Sequence, residues 1–254
     1  MSEQLVRLEK HGNVFVLCMA AGENRWNTTF VSAWSDALDE VEASEGPAAL
    51  VTASDNIKFY SNGLDLEWVT SSGEHPGGDR GVFGEQIMAL FARLMTFPIP
   101  TVAAINGHAF GAGFMIALCH DVRIQREDRG FLCANEVELG MSIPEPELAL
   151  FRSKMPMSAF VQTVQLAKRW TGAEALDAGI VQHTAALEKI RDQAIETAQG
   201  LAKLGVNREV YGWMKEHIFG ENAAINGAHG AAHMLRNQSM FESGPRGVPT
   251  VTRG

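Results

Sequence analysis

Apolar and polar positions along the chain follow two rhythms. Asn13 to Met19 (NVFVLCM) is a short, nearly continuous apolar run with β-branched residues, which predicts a buried strand. After a loop with Gly22 and Asn24, the residues Phe30, Trp34, Leu38 and Val41 recur every three or four positions, the spacing of one helix face. Ala48 to Thr52 (AALVT) predicts a second buried strand, and Ser54 to Gly63 is polar. Helical spacing resumes from Val82 to Met95 through Phe83, Ile87, Leu90, Phe91 and Leu94. Phe97-Pro98-Ile99-Pro100 stops that helix, because a residue before proline is pushed out of helical geometry. Thr101 to Ile105 (TVAAI) predicts a third strand, followed at once by a glycine-rich turn and an apolar helix through Leu118.

Strands alternating with helices indicate parallel βα units, so the chain to about residue 145 reads as α/β. From Glu147 the pattern becomes helix after helix: Leu148 to Lys154, Ser158 to Trp170, Ala173 to Ala178, Leu187 to Leu204, Asn207 to Phe219, and a glycine-punctuated segment from Ala223 to Phe241. The expected organisation is an α/β core over 1–145, a helical region over 146–243 and a frayed tail over 244–254. Ser71 to Gly81 (SSGEHPGGDRG) reads as a mobile surface loop.

Composition narrows the function classes. At 254 residues, with 46% hydrophobic and 20% charged residues, the chain can bury a sizeable core and is neither fibrous nor wholly disordered. A net charge of -9 has the wrong sign for tracking a phosphate backbone, so nucleic acid is not an expected partner. The three cysteines, Cys18, Cys119 and Cys133, lie in apolar surroundings without CxxC spacing and read as buried free thiols of a reducing compartment. The histidines show no metal-binding spacing, and no metal is expected. Met1 to Gly12 is polar rather than signal-like, and the longest apolar runs are too short to span a bilayer; the expectation is a cytoplasmic protein without a membrane partner.

Three segments can carry chemistry. Two glycine-bearing turns follow predicted strands: Phe59 to Leu66 (FYSNGLDL) and Gly107 to Phe114 (GHAFGAGF). Small residues there let a ligand approach the backbone, and a turn feeding a helix leaves unpaired N–H groups that can hold a developing negative charge. Neither turn matches a dinucleotide or P-loop motif. The third is Asn135 to Pro144 (NEVELGMSIP), with two acids in apolar surroundings. If it is extended, Glu136 and Glu138 share a face; if it is a helical turn, they do not. A carboxyl in an apolar pocket has a raised pKa and exchanges protons near neutrality.

Taken together, and in order, Trp26-Asn27, FYSNGLDL, PIPTVAAINGHAFGAGFMIALCHDVRI, NEVELGMSIP and TGAEALDAGIV resemble the crotonase superfamily, the enoyl-CoA hydratase/isomerase family. The resemblance implies an α/β fold, the crotonase-like ββα spiral core with a helical C-terminal region. It implies an acyl-CoA substrate, with coenzyme A entering as part of that substrate and no separate cofactor. By position, the two oxyanion-hole donors would be Leu64 and Ala112. Asn62, Gly63, Gly111 and Gly113 would border the substrate, and Arg25 and Lys58 would meet the CoA phosphates.

Hydratases of the family use two glutamates. Here the first of those positions holds Met115 and the second Glu136. A methionine neither activates nor protonates water. The retained pattern is similar to the delta3,delta2-enoyl-CoA isomerases, in which one carboxylate, here Glu136, would move a proton from the α- to the γ-carbon. Two alternatives stay open: a hydratase or other crotonase-type reaction with Glu138 or Glu145 as second acid, and a non-catalytic acyl-CoA-binding subunit. Among lesser candidates, Asp65 is expected to cap a helix, and His108 and His120 read as packed or surface residues. Phe83, Ile87 and Phe91 are candidates for an acyl tunnel or simply core. The resemblance also implies a homotrimer or a dimer of trimers, for which Val210, Trp213, Met214, Met234, Leu235 and Met240 are candidate contacts.

Overall fold

The computed structural model describes residues 4–71, 77–220 and 229–241. Among them, one six-stranded sheet runs in the order β1 (Val6–His11), β2 (Val14–Met19), β3 (Ala49–Ser54), β5 (Thr101–Ile105), β7 (Val122–Arg126) and β9 (His183–Ala185). A second sheet pairs β4 (Phe59–Ser61), β6 (His108–Phe110) and β8 (Leu132–Cys133) in parallel. In the main sheet β1 is antiparallel to β2, and every other pairing is parallel.

The continuous apolar runs have a direct cause: the main sheet is covered on both faces. In β2, Phe15, Leu17 and Met19 enter one core, while Val14, Val16 and Cys18 enter the other. The first core is built on α1 (Thr28–Glu42) and α3 (Phe83–Met95), through Phe30, Trp34, Leu38, Leu90 and Phe91. Trp68 from α2 (Leu66–Thr70), with its ring edge-on to Phe83 at 4.9 Å, joins the same core. The second core is closed by α8 (Leu187–Leu201), whose Ile190, Ala194 and Ala198 lie against Val51, Val102 and Ile124.

The second half is helical, with α5 (Glu145–Lys154), α6 (Met157–Val164), α7 (Gly172–Asp177), α8, α9 (Arg208–Phe219) and α10 (Ala231–Arg236). It also holds β9, which the helical reading of this region did not include and which completes the main sheet beside β7. The helix expected over Ser158 to Trp170 ends at Val164. Ala167 takes a φ of +47°, and Trp170 then exchanges backbone hydrogen bonds with Leu132 at 2.9 and 3.0 Å. The N-terminal segment read as merely polar is the edge strand β1, half-buried on one side and so without an apolar run.

Of the predicted surface loop, Ser71 and 77–81 are described, and they are held rather than free. The Thr29 N–H donates to Gly77 O, and Trp68 Nε1 donates to Gly78 O at 3.2 Å. The tail 244–254 and residues 223–228 of the last expected helix lie outside the described residues. Among the candidate oligomer contacts, Val210, Trp213, Met214 and Met240 are exposed, whereas Met234 and Leu235 are buried in this subunit's own core.

Candidate active site

The two glycine turns meet at the ends of β4 and β6. Trp26 pairs with the first turn in parallel: its N–H donates to Gly63 O at 2.8 Å, and its carbonyl accepts from Asp65 N at 3.0 Å. In an extended chain successive peptides point opposite ways, so the Leu64 N–H faces away from Trp26. In the second turn, Gly111 N donates to Cys133 O at 2.9 Å, and α4 (Ala112–Leu118) begins with Phe114 N and Met115 N both donating to Gly111 O. Neither Leu64 N nor Ala112 N donates a hydrogen bond among the described residues.

Two glycines permit this approach. Gly63 has φ +77°, and Gly111 has φ +49° with ψ -120°, conformations that L side chains avoid. A Cβ on Gly111 would lie 3.0 Å from Glu136 Oε1, so its absence leaves room for the carboxyl. Gly113 serves packing instead: a Cβ there would run into the Ser61 carbonyl oxygen.

Glu136 opens a 3₁₀ turn, Val137–Leu139, that ends at left-handed Gly140. Of the two geometries open for this segment, the structure takes the turn, and the two acids separate. Glu138 is exposed and forms a bidentate pair with Arg169 at 2.7 and 3.2 Å. Glu145 is exposed at the start of α5. The carboxyl of Glu136 is buried, and its Oε2 has no hydrogen-bond partner among the described residues. Loss of water pushes its pKa up to about 7, against a small opposing pull from its own backbone N–H.

A pocket of about 190 Å³ gathers these groups. It is lined by Leu64, Ala112 and Glu136, by Gly63 and Gly111, and by the apolar Leu66, Phe110, Leu139 and Met141. Arg25 and Asn62 also border it, but both are engaged by Glu23. Arg25 reaches the Glu23 carboxylate at 2.7 and 2.9 Å and Asn62 Nδ2 at 2.8 Å, while Asn62 N donates to Glu23 O at 3.0 Å. Burial works to raise the pKa of Glu23, and these hydrogen bonds outweigh it and hold it low. Glu23 thus fixes the approach to the Leu64 turn; the polar run Glu23-Asn24-Arg25 after the first strand was the sequence signal for it.

Lys58 lies outside this lining, exposed, with its ammonium over the Phe59 ring at 4.7 Å. Phe83, Ile87 and Phe91 are buried in the core rather than around the Glu136 pocket. Met115 is likewise buried in that core. Asp65 caps α2, its carboxylate accepting from Trp68 N at 3.2 Å and from Asn27 Nδ2 at 3.1 Å, and Asn27 in turn caps α1. His108 stacks on Phe110 and accepts from Phe131 N, and His120 is fully buried between Thr52 Oγ1 and Ile116 O. The three cysteines are free and buried.

A carboxyl that exchanges a proton near neutrality beside two unused backbone donors is suited to enolising a bound carbonyl compound. The family model for Enoyl-CoA hydratase/isomerase matches residues 9–243. The chain belongs to this family. Within the enoyl-CoA hydratase/isomerase family it is 32% identical over 226 residues to the peroxisomal Enoyl-CoA delta isomerase 2 of Arabidopsis thaliana, covering 87% of this chain and 94% of that protein. It also shares its fold with an enoyl-CoA hydratase of Mycobacterium ulcerans, at TM-score 0.75 and 26% identity over 92% of this chain and 99% of that one. The human mitochondrial delta3-delta2-enoyl-CoA isomerase has the same fold at TM-score 0.77 and 24% identity, over 92% of this chain and 87% of that one. The crotonase fold expected from the ordered motifs is the fold of the chain.

One further acid near the site was missed by the sequence reading. Glu147, in the first turn of α5, is half-buried, and its pKa is pushed up to about 8, first by loss of water and then by the charge of Glu136.

Proposed function

We propose that the protein is an acyl-CoA double-bond isomerase that converts a β,γ- into an α,β-enoyl thioester. The observation that carries this reading is the convergence of two undonated amides, Leu64 N–H and Ala112 N–H, with a buried carboxyl, Glu136, on one small apolar pocket. The thioester oxygen accepts from both amides, which stabilises the negative charge that forms there when an α-proton leaves. Glu136 takes that proton as a carboxylate, the dienolate spreads its charge onto the γ-carbon, and protonated Glu136 returns the proton there. The proton is conserved, the double bond moves, and no water is consumed. Removing one such donor typically costs ~2.7–4 kcal/mol of transition-state stabilisation.

Hydration needs a second group to hold and split water. Met115 occupies the position at which family hydratases carry that glutamate, and Glu138 and Glu145 face solvent. These observations favour isomerisation over hydration, and the raised proton affinity of Glu136 favours a working site over passive binding. The CoA portion is read as running past Arg25 and Asn62, with Arg25 and the exposed Lys58 as the candidates to meet its phosphates. We also read the molecule as a homotrimer or dimer of trimers, with the exposed Val210, Trp213 and Met214 of α9 as contact residues.

The test is paired product analysis of the purified protein with a β,γ- and with an α,β-unsaturated acyl-CoA, resolved by chromatography and mass. The reading expects isomerisation of the first without mass change and no water addition to the second. Water addition would transfer the assignment to hydratase, and inertness in both would leave a binding protein.

A further inference from the structure

A buried chain of hydrogen bonds joins the two elements that carry the glycine turns. The Tyr60 hydroxyl of β4 lies 2.7 Å from Thr52 Oγ1 of β3, and Thr52 Oγ1 lies 2.8 Å from His120 Nε2. His120 Nδ1 in turn lies 2.9 Å from the carbonyl oxygen of Ile116 in α4. Tyr60, Thr52 and His120 are all fully buried. Each link has one direction. The Ile116 carbonyl can only accept, so Nδ1 carries the ring hydrogen. Burial pushes the His120 pKa down to about 3, so the ring is neutral and Nε2 accepts from the Thr52 hydroxyl. Thr52 has a single hydrogen to give, which leaves Tyr60 to donate to Thr52.

The ends of this chain lie close in sequence to the free amides. Tyr60 precedes Leu64 by four residues, and Ile116 follows Ala112 by four, about one turn along the same short helix. The ring is anchored from its own backbone as well: Arg123 Nη1 donates to His120 O at 2.7 Å, and Arg123 Nε donates to Ile180 O at 2.7 Å. Helix α4 also meets β4 where Gly113 passes the Ser61 carbonyl. That contact sets how near the helix stands. Hydrogen bonds weaken steeply when misaligned, so the chain through Thr52 also resists sliding and rotation of α4 against β4.

We propose that Thr52 is a positioning residue for the two amides: by accepting from Tyr60 and donating to His120, it ties β4 to α4 and fixes the spacing of Leu64 N–H and Ala112 N–H across the pocket. This deepens the isomerase reading and rests on it for the reaction. Thr52 is not among the residues that line the pocket. Its loss therefore weakens the hold on a charged thioester oxygen, which needs both amides in place, and leaves the hold on the rest of the substrate unchanged.

Three measurements test this. In the unliganded wild type at neutral pH, 15N NMR of His120 is expected to show a neutral ring with its hydrogen on Nδ1; a hydrogen on Nε2 overturns the proposal. Thr52→Val keeps the side-chain shape and removes the hydroxyl, while Tyr60→Phe cuts only the link to β4 and keeps the variant set usable if Thr52→Val does not fold. With a β,γ-enoyl-CoA, each is expected to lose about three- to tenfold in kcat at nearly constant KM, and Thr52→Ser to recover most of that loss. The third measurement uses acetoacetyl-CoA, whose enolate absorbs in the near ultraviolet and reads the two amides without turnover. Both variants are expected to form less bound enolate than wild type at equal total binding by calorimetry. A chain that only stabilised the fold would lower Tm while leaving kcat and enolate unchanged in the folded variants, and that result overturns the proposal, as does failure of Thr52→Ser to recover kcat. Absence of isomerisation by a wild type that still forms the enolate sinks the isomerase reading alone.

Discussion

A Cβ on Gly63 would lie 2.7 Å from the carbonyl oxygen of Phe110 and 3.8 Å from Ala112 N, so the two turns that carry the free amides touch through the hydrogen of one glycine. Left-handed backbone costs an L residue roughly 1–2 kcal/mol, and the clash adds a displacement of one turn against the other. Displacing reacting groups by ~1 Å can cost about 10²-fold in rate. Gly63→Ala is expected to fold with a lower Tm and to lose about a hundredfold in kcat/KM with a β,γ-enoyl-CoA. Unchanged kinetics in a folded variant would detach these turns from the chemistry.

Glu136 works as a base only when ionised, and burial raises its pKa to about 7. The rate with β,γ-enoyl-CoA is therefore expected to climb with pH and flatten above about 7, and Glu136→Gln to lose about 10²–10⁴-fold while still binding acyl-CoA. The same shift has a stability counterpart. Because the folded-state pKa lies above the ordinary value of 4.5, the group's contribution is fully present below that value and is lost as pH rises through about 7. Thermal melts at about pH 5 and about pH 9 should thus show Glu136→Gln gaining on wild type only at the higher pH. A gain of equal size at both would contradict the buried ionisation.

The pair between Glu138 and Arg169 is solvent-exposed. Such pairs contribute ~1 kcal/mol or less. Glu138→Gln should leave both turnover and urea midpoint nearly unchanged, which separates it from Glu136 two residues earlier. A large loss of turnover would return Glu138 to the acid–base chemistry.

Deep under α9, Lys215 Nζ lies 2.8 Å from Asp121 Oδ2, which also accepts from Thr101 N at 2.9 Å and from the Tyr211 hydroxyl at 3.2 Å. Burial alone would raise the pKa of Asp121, but the charges of Lys215 and Lys154 and these hydrogen bonds hold it low. Removing one partner of a buried pair typically costs ~3–5 kcal/mol. Lys215→Met is expected to fall in that range by urea unfolding, with part of the loss recovered by adding Asp121→Asn. A loss below about 1 kcal/mol would mean that the network relaxes without the lysine.

Much of this fold is legible in the sequence alone. The apolar runs at 13–19, 48–52 and 101–105 are strands because a sheet covered on both faces needs apolar residues at every position, which leaves a strong local signal. The short strands β4, β6 and β8 span two or three residues each and have no room for a period. Edge strand β1 buries one side, and β9 sits between helices, so neither presents a run. Glu136, Leu64 and Ala112 became candidates through the resemblance of the ordered motifs to the family, and the structure lines one pocket with all three.

By itself the sequence pointed to glycine turns at 63 and 111, to a Met115 that holds no proton, and, through the family resemblance, to Glu136 as the acid of the NEVEL segment. The tertiary structure decided how the two acids of that segment separate. A three-residue 3₁₀ turn buries Glu136 and sends Glu138 to Arg169, a choice that depends on packing beyond the segment. It likewise decided that Arg25 and Asn62 both meet the Glu23 carboxylate. Charges and desolvation act through space, and the distances that set them are not written in the order of residues.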